Sequence, residues 1–401
     1  MKVLVADAFE RSGLDGLAAL GCEVLYEPKL EGAALGARLA ETGAEVLVVR
    51  STKVGAAEME SASGLALIVR AGAGVNTIDL QAASARAIAV SNCPGKNAIA
   101  VAELAWGLIL ALDRRIVDQT NDLRAGIWNK SLYGKARGLA GRTLGVIGLG
   151  AIGLEVVARA KAFGMPVVAW SRSLDEDRGA RLGVACADSI HALAAASDGV
   201  TVHCALTVET KGMLDAKFFA AMKPGAFFVN TSRGEVVDAV SLRKAVAERG
   251  IRAGLDVFEK EPAGGAGTFE DEIVKLPGVI GSHHVGASTE QAQNAIAEET
   301  VRIVAAFLST GEVPNAVNLA SRTPATHVLS VRHRDRIGVL AHVFGVLRAA
   351  GINVEKTENV VFAGAEAACA RIQLNLAPQA AVLEEIQRDC ADVLSVSVRA
   401  L

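Results

Sequence analysis

Residues 146–153 read V-I-G-L-G-A-I-G, in which three glycines form the pattern Gly-x-Gly-x-x-Gly. The pattern predicts a strand that turns sharply at Gly148, a backbone that a pyrophosphate can approach at Gly150, and a helix that packs closely on the strand at Gly153. The N-terminus of that helix would face the phosphate charge. We therefore predict a dinucleotide-binding βαβ unit, the alternative being a glycine-rich turn with a structural role only. The predicted cofactor-binding positions of this motif are Gly148, Gly150, Ala151, Ile152 and Gly153.

The choice of dinucleotide depends on the residue that ends the next predicted strand, residues 167–170. A carboxylate at that point accepts hydrogen bonds from the ribose 2′-hydroxyl of NAD. Here the position is Ser171, followed by Arg172. A hydroxyl and a guanidinium suit a 2′-phosphate, which favours NADP or tolerance of both cofactors. The alternative is that Arg172 stacks flat on the adenine and does not contact a 2′-phosphate. Both cofactors therefore stay open, with NAD as the first candidate and NADP as the second.

Composition and charge are typical of a soluble enzyme of two or three domains. The chain has 401 residues, 51% of them hydrophobic, and 41 basic against 44 acidic residues. The basic residues are dispersed, so we expect no nucleic-acid partner. The six cysteines are scattered singly, which predicts neither a disulfide framework nor a metal site. Neither a signal peptide nor a membrane-spanning run is evident, so we expect a cytoplasmic protein without a membrane partner.

Short β-branched runs alternate with Ala/Leu-rich helical segments along most of the chain, a pattern that predicts doubly wound parallel sheets. The runs before the glycine motif are 3–6, 23–26, 46–49, 66–70 and 89–91, and those after it are 167–170, 199–203, 226–231, 254–257 and 279–282. Two Rossmann or flavodoxin-like domains follow from this pattern. We expect residues 1–97, with 290–316 returning, to bind substrate and residues 98–289 to bind the nucleotide.

The pattern changes after a predicted linker at 317–325, which is flanked by prolines. Residues 326–401 read as strand, helix, strand, strand, helix and strand, which is the ferredoxin-like βαββαβ order. A unit of this size has a small core. We therefore expect it to pair with a copy on another subunit.

Three separated segments carry side chains suited to reduction of a 2-oxo acid. Arg233 follows a predicted buried strand and can bind a carboxylate through two hydrogen bonds. The run 256–262 supplies carboxylates, and 282–286 supplies two histidines, one of which could give the proton that the product alkoxide needs. Each segment also has an ordinary interpretation, as a surface cation, a turn and a structural histidine. Their position after strands of a doubly wound sheet, downstream of the glycine motif, favours catalysis.

With these motifs in place, the chain resembles the D-isomer-specific 2-hydroxyacid dehydrogenases and, within that family, the phosphoglycerate dehydrogenases. The resemblance covers nearly the whole chain. The matching motifs are V-R-S at 49–51, R-A-G-A-G-V at 70–75, S-N-C-P at 91–94, V-A-E-L at 101–104, the glycine motif, T-V-H at 201–203, S-R-G-E-V-V-D at 232–238, 255–262, and H-V-G-A-S-T at 284–289.

The resemblance implies three catalytic residues. Arg233 would hold the substrate carboxylate and carbonyl, His284 rather than His283 would pass the proton, and Glu261 rather than Glu259 would orient the imidazole and support its cation. Further cofactor contacts are implied for Asn97, His203, Thr231 and Asp256, with Asp256 on the nicotinamide carboxamide. Substrate contacts are implied for Arg50 and Ser51 at the phosphate and for the backbone of Ala73 and Gly74 at the carboxylate. The chain departs from the family pattern at Asn76-Thr77, Ser171, Ala205 and His283.

The C-terminal unit resembles an ACT domain, a module that binds small regulatory ligands. The resemblance lies in residues 333–340 and 351–353. It implies an L-serine effector bound at a dimer interface, with His333 and Asn353 as contacts and Asp335 where an Asn is frequent. A homodimer or homotetramer is implied as well. The alternative is a dimerisation domain without a ligand.

The implied activity is interconversion of D-3-phosphoglycerate and 3-phosphooxypyruvate at the start of L-serine biosynthesis. A glyoxylate or hydroxypyruvate reductase of the same family is the alternative, which Ser171 and Arg172 favour and Arg50 and the C-terminal unit disfavour. A remoter alternative is a non-catalytic, NAD(H)-sensing binding protein.

Overall fold

The computed structural model describes residues 1–262 and 266–401. The chain folds into two compact units, Met1–Asn318 and Leu319–Leu401. The first unit contains two parallel sheets, and the second contains one antiparallel sheet. This architecture confirms the predicted fold class of two doubly wound α/β sheets followed by a ferredoxin-like region.

The first sheet has five parallel strands in the order β2-β1-β3-β4-β5. This is the flavodoxin-like order. All four residues of the central strand, V-L-V-V, are buried, because helices cover both faces of a parallel sheet. The strands are β1 (Lys2–Val5), β2 (Glu23–Tyr26), β3 (Val46–Val49), β4 (Leu67–Arg70) and β5 (Ala89–Asn92). The helices between them are α1 (Arg11–Ala19), α2 (Gly32–Thr42), α3 (Ala56–Glu60) and α4 (Leu80–Ala85).

Three helices lead from the first sheet to the second: α5 (Ala98–Arg114), α6 (Ile116–Arg124) and α7 (Lys130–Tyr133). Helix α5 buries ten of its seventeen residues, as its continuous apolar sequence predicts. It ends where Arg115 takes a left-handed conformation with φ 52°. The sequence did not predict α6 and α7, because their polar composition carries no strong periodic signal.

The second sheet has seven parallel strands in the order β12-β11-β10-β9-β6-β7-β8. The order reverses at β6, which pairs with β7 on one side and β9 on the other, and a dinucleotide binds at such a switch point. The strands are β6 (Leu144–Ile147), β7 (Val167–Trp170), β8 (Ala185–Cys186), β9 (Gly199–Val202), β10 (Phe227–Asn230), β11 (Arg252–Leu255) and β12 (Val279–Gly281). The helices are α8 (Ala151–Ala162), α9 (Glu176–Leu182), α10 (Ile190–Ala196), α11 (Ala216–Ala221) and α12 (Ala239–Arg249), with 3-10 turns at Gly234–Val236 and Glu272–Lys275.

A long helix, α13 (Glu290–Thr310), returns from the second sheet to the first. Its residues Ile296 and Ile303 join the core beneath β1 and β3. The helix begins where the chain was predicted to return, and the Thr289 side chain caps it by accepting the N–H of Ala292. The chain then follows the edge of the first sheet, where the N–H of Val317 donates to Val90.

Val317 and Asn318, which belong to the predicted linker 317–325, are thus hydrogen bonded to the first unit. The Asn318 side chain accepts the N–H of Val90 at 2.7 Å and donates to the carbonyl of Ile88 at 2.8 Å. Residues 319–326 contain no helix or strand.

The C-terminal unit has the βαββαβ order that the sequence predicts, with antiparallel strands in the order β14-β15-β13-β16. Alternate residues of β15 are buried against the two helices, which gives a half-covered sheet. The elements are β13 (His327–Arg334), α14 (Val339–Ala349), β14 (Val354–Val361), β15 (Ala367–Leu374), α15 (Ala380–Arg388) and β16 (Val393–Ala400). None of the helices in the described part of the chain is both long enough and apolar enough to cross a membrane.

Candidate functional site

The glycine motif connects β6 to the N-terminus of α8, and its three glycines serve different purposes. A Cβ on Gly148 would lie 2.6 Å from the carbonyl oxygen of His203, and one on Gly153 would overlap the carbonyl oxygen of Gly148. Both positions therefore require glycine for close packing. A Cβ on Gly150, in contrast, would meet no atom within 4 Å. That open space lies at the N-cap of α8, where a pyrophosphate would meet free N–H groups.

Two predicted cofactor contacts have buried polar atoms without a partner among the described residues. They are Nδ1 of His203 and Oγ1 of Thr231. The His203 Nε2 lies 2.9 Å from Oγ1 of Thr201, and burial lowers the pKa of His203 to about 3, so its ring is neutral. Buried polar groups are nearly always satisfied, so these atoms and the space at Gly150 fit a bound dinucleotide.

Ser171 and Arg172 follow β7 directly, as predicted, and Arg172 is exposed. A second guanidinium lies beside them. Arg178 on α9 donates to Oγ of Ser173 at 2.7 Å and to the carbonyl of Leu149 in the glycine loop at 3.1 Å. No role for Arg178 was predicted from the sequence. It adds positive charge near the position where a ribose 2′-substituent would lie.

Asn97, another predicted cofactor contact, is the N-cap residue of α5, where the chain crosses between the two sheets. Its side chain makes no capping hydrogen bond to the helix. A Cβ on nearby Gly95 would lie 3.6 Å from Cβ of Ala151, so this crossing passes close to the glycine motif.

The three predicted catalytic residues follow three adjacent strands, β10, β11 and β12. Asn230, Leu255 and Gly281 end these strands at matched positions of the register. Because parallel strands deliver their carboxyl ends to one edge, the loops that follow meet there. Arg233 and His284 lie in two of these loops, and Glu261 lies in the third.

Glu261 and His284 are hydrogen bonded, with Nδ1 of His284 at 2.7 Å from Oε2 of Glu261. The other carboxylate oxygen accepts the N–H of Phe258 at 2.9 Å. Burial raises the pKa of Glu261, but the hydrogen bonds from His284 and Phe258 and the charges of His284 and Arg233 outweigh it, so the pKa falls below its ordinary value. The carboxylate is thus held ionised against the imidazole.

Arg233 follows a strand of the second sheet and reaches the loop of residues 73–76 after β4 of the first sheet. It donates to the carbonyl of Ser232 at 2.7 Å, and its other terminal nitrogen lies 3.5 Å from Oδ1 of Asn76. A Cβ on Gly74 would lie 2.6 Å from that nitrogen. Glycine at 74 therefore allows the guanidinium to lie against the backbone of residues 73–74, which are the predicted carboxylate contacts.

Arg70, at the end of β4, is another arginine for which the sequence predicted no role. It packs so closely on Gly72 that a Cβ there would overlap it, and its buried Nε has no partner among the described residues. Burial and the nearby charges of Arg233 and Arg50 lower the pKa of Arg70 to about 10. Arg70 lies within the R-A-G-A-G-V motif, so that motif was the signal that could have identified it.

Arg50 and Ser51 begin a loop after β3 that a single carboxylate organises. Oδ2 of Asp7 accepts the N–H groups of Arg50, Ser51 and Thr52 at 2.6, 2.9 and 3.0 Å. The Arg50 guanidinium lies 3.5 Å from Oγ of Ser288 in the loop of His284. The predicted phosphate contacts are therefore near the histidine loop. The role of Asp7 was missed, because its hydrogen-bond donors lie more than forty residues away in sequence.

Asp256, a predicted cofactor contact, lies in the site and holds the loop of His284. Its carboxylate, 1% exposed, accepts hydrogen bonds from Ser282, Val285 and Gly286. The sequence assigned it to a nicotinamide carboxamide and missed this loop.

The predicted effector residues are not brought together within one chain. His333 is buried, with Nδ1 2.8 Å from the carbonyl of Arg334 and Nε2 3.2 Å from Oδ1 of Asn359. Asp335 is exposed at the same end of the sheet, whereas Asn353 lies at the opposite end, beside Asn375. The eight residues of β15 run between the two ends, a length of roughly 23 Å. The part of the chain that the structure describes holds no cluster of three or more His, Cys, Asp or Glu side chains suited to a metal ion.

Comparison with known proteins identifies relatives of this chain. Residues 106–286 match the family described as D-isomer specific 2-hydroxyacid dehydrogenase, NAD binding domain. A D-3-phosphoglycerate dehydrogenase of Methanocaldococcus jannaschii is 39% identical over 80% of this chain and 60% of its own length. A glyoxylate reductase of Thermococcus litoralis is 38% identical over 70% of this chain and 85% of its own length.

Among solved structures, NAD+-bound 3-phosphoglycerate dehydrogenase of Entamoeba histolytica has a TM-score of 0.66 and 25% identity. The match covers 80% of this chain and 99% of that one. The chain spans about 60% of the length of the curated phosphoglycerate dehydrogenases that it matches.

Proposed function

Because this chain belongs to the D-isomer-specific 2-hydroxyacid dehydrogenase family, we propose that its substrates are D-3-phosphoglycerate and 3-phosphooxypyruvate. The observation that carries the proposal is the cluster of three guanidinium groups, Arg50, Arg70 and Arg233. A 2-oxo acid needs one of them for its carboxylate. Two further cations, one with a buried Nε that has no partner in the described part of the chain, suit a second anionic group on the same substrate.

The proposed division of labour follows the positions of these side chains. Arg233 lies against the backbone of Gly74, so the two are close enough to bind the carboxylate and carbonyl of one substrate. Arg70 and Arg50 lie beyond Arg233 on the first sheet, and Arg50 also approaches Ser288. A phosphate attached to the carbon next to the carbonyl would extend toward these two cations.

Proton transfer falls to His284. Its Nδ1 faces Glu261, which leaves Nε2 as the nitrogen that can meet the substrate oxygen. In the reductive direction Nε2 donates a proton to the oxygen as it becomes an alkoxide, and Glu261 stabilises the imidazolium before transfer. When bound, the nicotinamide cofactor supplies or accepts the hydride. Arg233 stabilises the developing negative charge on the same oxygen.

The second candidate is reduction of glyoxylate or hydroxypyruvate. The glyoxylate reductase relative, similar in identity and matched over more of its length, favours this candidate, as do Ser171 and Arg172. Unphosphorylated acids, however, would leave Arg70 without an anion.

The proposed role of the C-terminal unit is regulation of the enzyme by a small ligand. We propose an ACT-type module with L-serine as its effector. Because His333 and Asn353 lie at opposite ends of one sheet, a site using both would need two copies of the chain. Leu123, Ile127 and Trp128 of the first unit are also largely exposed, Trp128 to 80%, which favours a homodimer or homotetramer.

The test compares 3-phosphooxypyruvate, hydroxypyruvate and glyoxylate, each with NADH and NADPH, by the nicotinamide absorbance. A kcat/KM at least 100-fold higher for 3-phosphooxypyruvate, roughly the value of one well-paired charge, is the expected result. Equal or faster turnover of the unphosphorylated acids would replace the proposal with the reductase. Tight cofactor binding without turnover of any acid would indicate a sensing protein.

A further inference from the structure

The loop that carries His284 is wrapped around one buried carboxylate. Oδ1 of Asp256 accepts the Ser282 hydroxyl at 2.7 Å and the N–H of Val285 at 2.9 Å. Oδ2 accepts the N–H of Gly286 at 2.9 Å. These donors lie on both sides of His284 in the sequence, and the loop bends at the histidine between them.

The bend places His284 in a backbone conformation that non-glycine residues avoid. Its φ is 53°, in the left-handed region. Such a conformation persists only where surrounding contacts determine it, and it occurs often at functional sites. The N–H of His284 donates to the carbonyl of Asp256 at 2.8 Å, which fixes the bend from the backbone side as well.

The loop also packs closely on the Asp256 carboxylate at Gly286. A Cβ on Gly286 would lie 3.0 Å from Oδ2 of Asp256, so a larger residue would push the loop off the carboxylate. On the opposite side, the N–H of Asp256 donates to Asn230, whose side chain donates to the carbonyl of Arg233. One residue thus connects the loop of His284 with the loop of Arg233.

We propose that Asp256 is a positioning residue that holds His284 in its left-handed conformation and so directs the ring at Glu261 and the substrate. Three loop donors occupy most of the lone pairs of a carboxylate that is 1% exposed, and they leave about one lone pair for a further donor. The consequence is that Asp256 acts on proton transfer through the loop of His284, whether or not it also contacts a cofactor. The catalytic consequence rests on the proposed function, whereas the conformational one does not.

The test is the substitution Asp256→Asn, which replaces one acceptor oxygen by an NH2 group that faces a loop N–H. We expect kcat to fall about 100-fold, since misplacement of a reacting group by about 1 Å has that effect. The Kd of NADH, measured by fluorescence, should rise by a much smaller factor than the factor by which kcat falls. The ring signals of His284 in histidine-labelled protein, assigned with His284→Ala, should shift, and the pH profile of kcat should move with them.

A milder variant and a matched control accompany it. Ser282→Ala removes one of the three carboxylate contacts and should lower kcat by a smaller factor, about tenfold, in a protein that keeps its fold. Asp215→Asn removes a carboxylate that accepts N–H groups of Lys217 and Phe218 at the start of α11, in the same domain. It should lower Tm without moving the His284 signals.

The results of these experiments distinguish a positioning role of Asp256 from a cofactor-binding role. A raised Kd for NADH with unchanged His284 signals would show that Asp256 binds the carboxamide and would overturn the proposal. Unchanged His284 signals in both Asp256→Asn and Ser282→Ala would do the same. Shifted His284 signals in a protein that turns over none of the oxo acids would retain the positioning role and reject the proposed function.

Discussion

Nδ1 of His284 and Oε2 of Glu261 are 2.7 Å apart, although the two residues are 23 positions apart in the chain. The contact exists because the two loops follow adjacent parallel strands, β11 and β12. It commits Nδ1 to the carboxylate, so Nε2 is the nitrogen available for a substrate. The His284–Glu261 contact and the neighbouring arginines are therefore the basis for predicting how substitutions in the site change catalysis and substrate binding.

His284→Ala should lower kcat by about 100-fold or more, because the general acid and base is removed. Binding of NADH should persist, since the glycine motif is untouched. His283→Ala is the matched control: the ring is adjacent and exposed, and its loss should change kcat less than twofold. Steady-state kinetics of both variants decide the assignment. Larger loss in His283→Ala would exchange the roles of the two histidines.

Arg50→Ala should raise KM for 3-phosphooxypyruvate by about 10-fold to 100-fold, the value of a lost charge-assisted hydrogen bond. Glyoxylate reduction should change little, because glyoxylate has no phosphate. Lys29→Ala, which removes an exposed cation of the same sheet domain outside the cluster, should leave both substrates unaffected. Equal losses for the two substrates in Arg50→Ala would argue against a phosphate contact.

Arg172→Ala should reduce kcat/KM for NADPH by about tenfold while the value for NADH changes little, because a 2′-phosphate loses its cation. Arg181→Ala on α9 removes another exposed guanidinium and serves as the control. The measurement is initial rate against concentration of each cofactor. If NADH and NADPH are affected alike, Arg172 stacks on the adenine instead.

L-serine at millimolar concentration should lower the rate of the full chain and raise its Tm, since a ligand that binds the folded state stabilises it. Asn353→Ala should remove both effects and leave the rate without serine unchanged. D-serine provides a control for nonspecific effects. Neither a rate change nor a Tm shift with L-serine would leave the C-terminal unit as a dimerisation domain.

The sequence predicted the two doubly wound sheets because their strands are continuous apolar runs, and it located Arg233, Glu261 and His284 because each lies in a distinctive motif. Arg70, Asp7 and the loop-holding contacts of Asp256 were missed. These roles depend on which side chains the sheet edges bring together across tens or hundreds of residues. A short motif records the residue type at such a position and does not record its partners.

A strongly held carboxylate of the first unit offers a test of stability against pH. Glu299 on α13, with a side chain 7% exposed, contacts Arg302 at 2.6 Å, Asn315 at 2.7 Å and Lys96 at 3.2 Å. The hydrogen bond from Arg302 contributes most to lowering its pKa from 4.5 to about 2, and the contacts with Asn315 and Lys96 add to it, while burial opposes them. These contacts tie α13 to the segment after β5, where the chain crosses between the sheets.

The stability that Glu299 contributes depends on pH because the folded and unfolded chains bind its proton at different pH values. The unfolded chain binds the proton at Glu299 near pH 4.5, whereas the folded chain binds it only near pH 2. The full shift corresponds to about 3 kcal/mol of stability above pH 4.5, and solvent, which reaches Arg302 and Lys96, screens this to about 2 kcal/mol. That contribution should decline as pH falls from 4.5 toward 2. Glu299→Gln should therefore be less stable than the natural protein by about this screened amount at pH 7, and the difference should shrink to less than half at pH 3. Urea unfolding at both pH values measures it.

Glu298→Gln is the matched control, because Glu298 is the preceding residue of the same helix and is exposed. Its loss should change the free energy of unfolding by less than about 0.5 kcal/mol at either pH. A deficit in Glu299→Gln that stays constant between pH 7 and pH 3 would mean that packing rather than charge stabilises this position. A deficit that appears only at pH 7 would tie the stability of the crossing to the ionised form of Glu299.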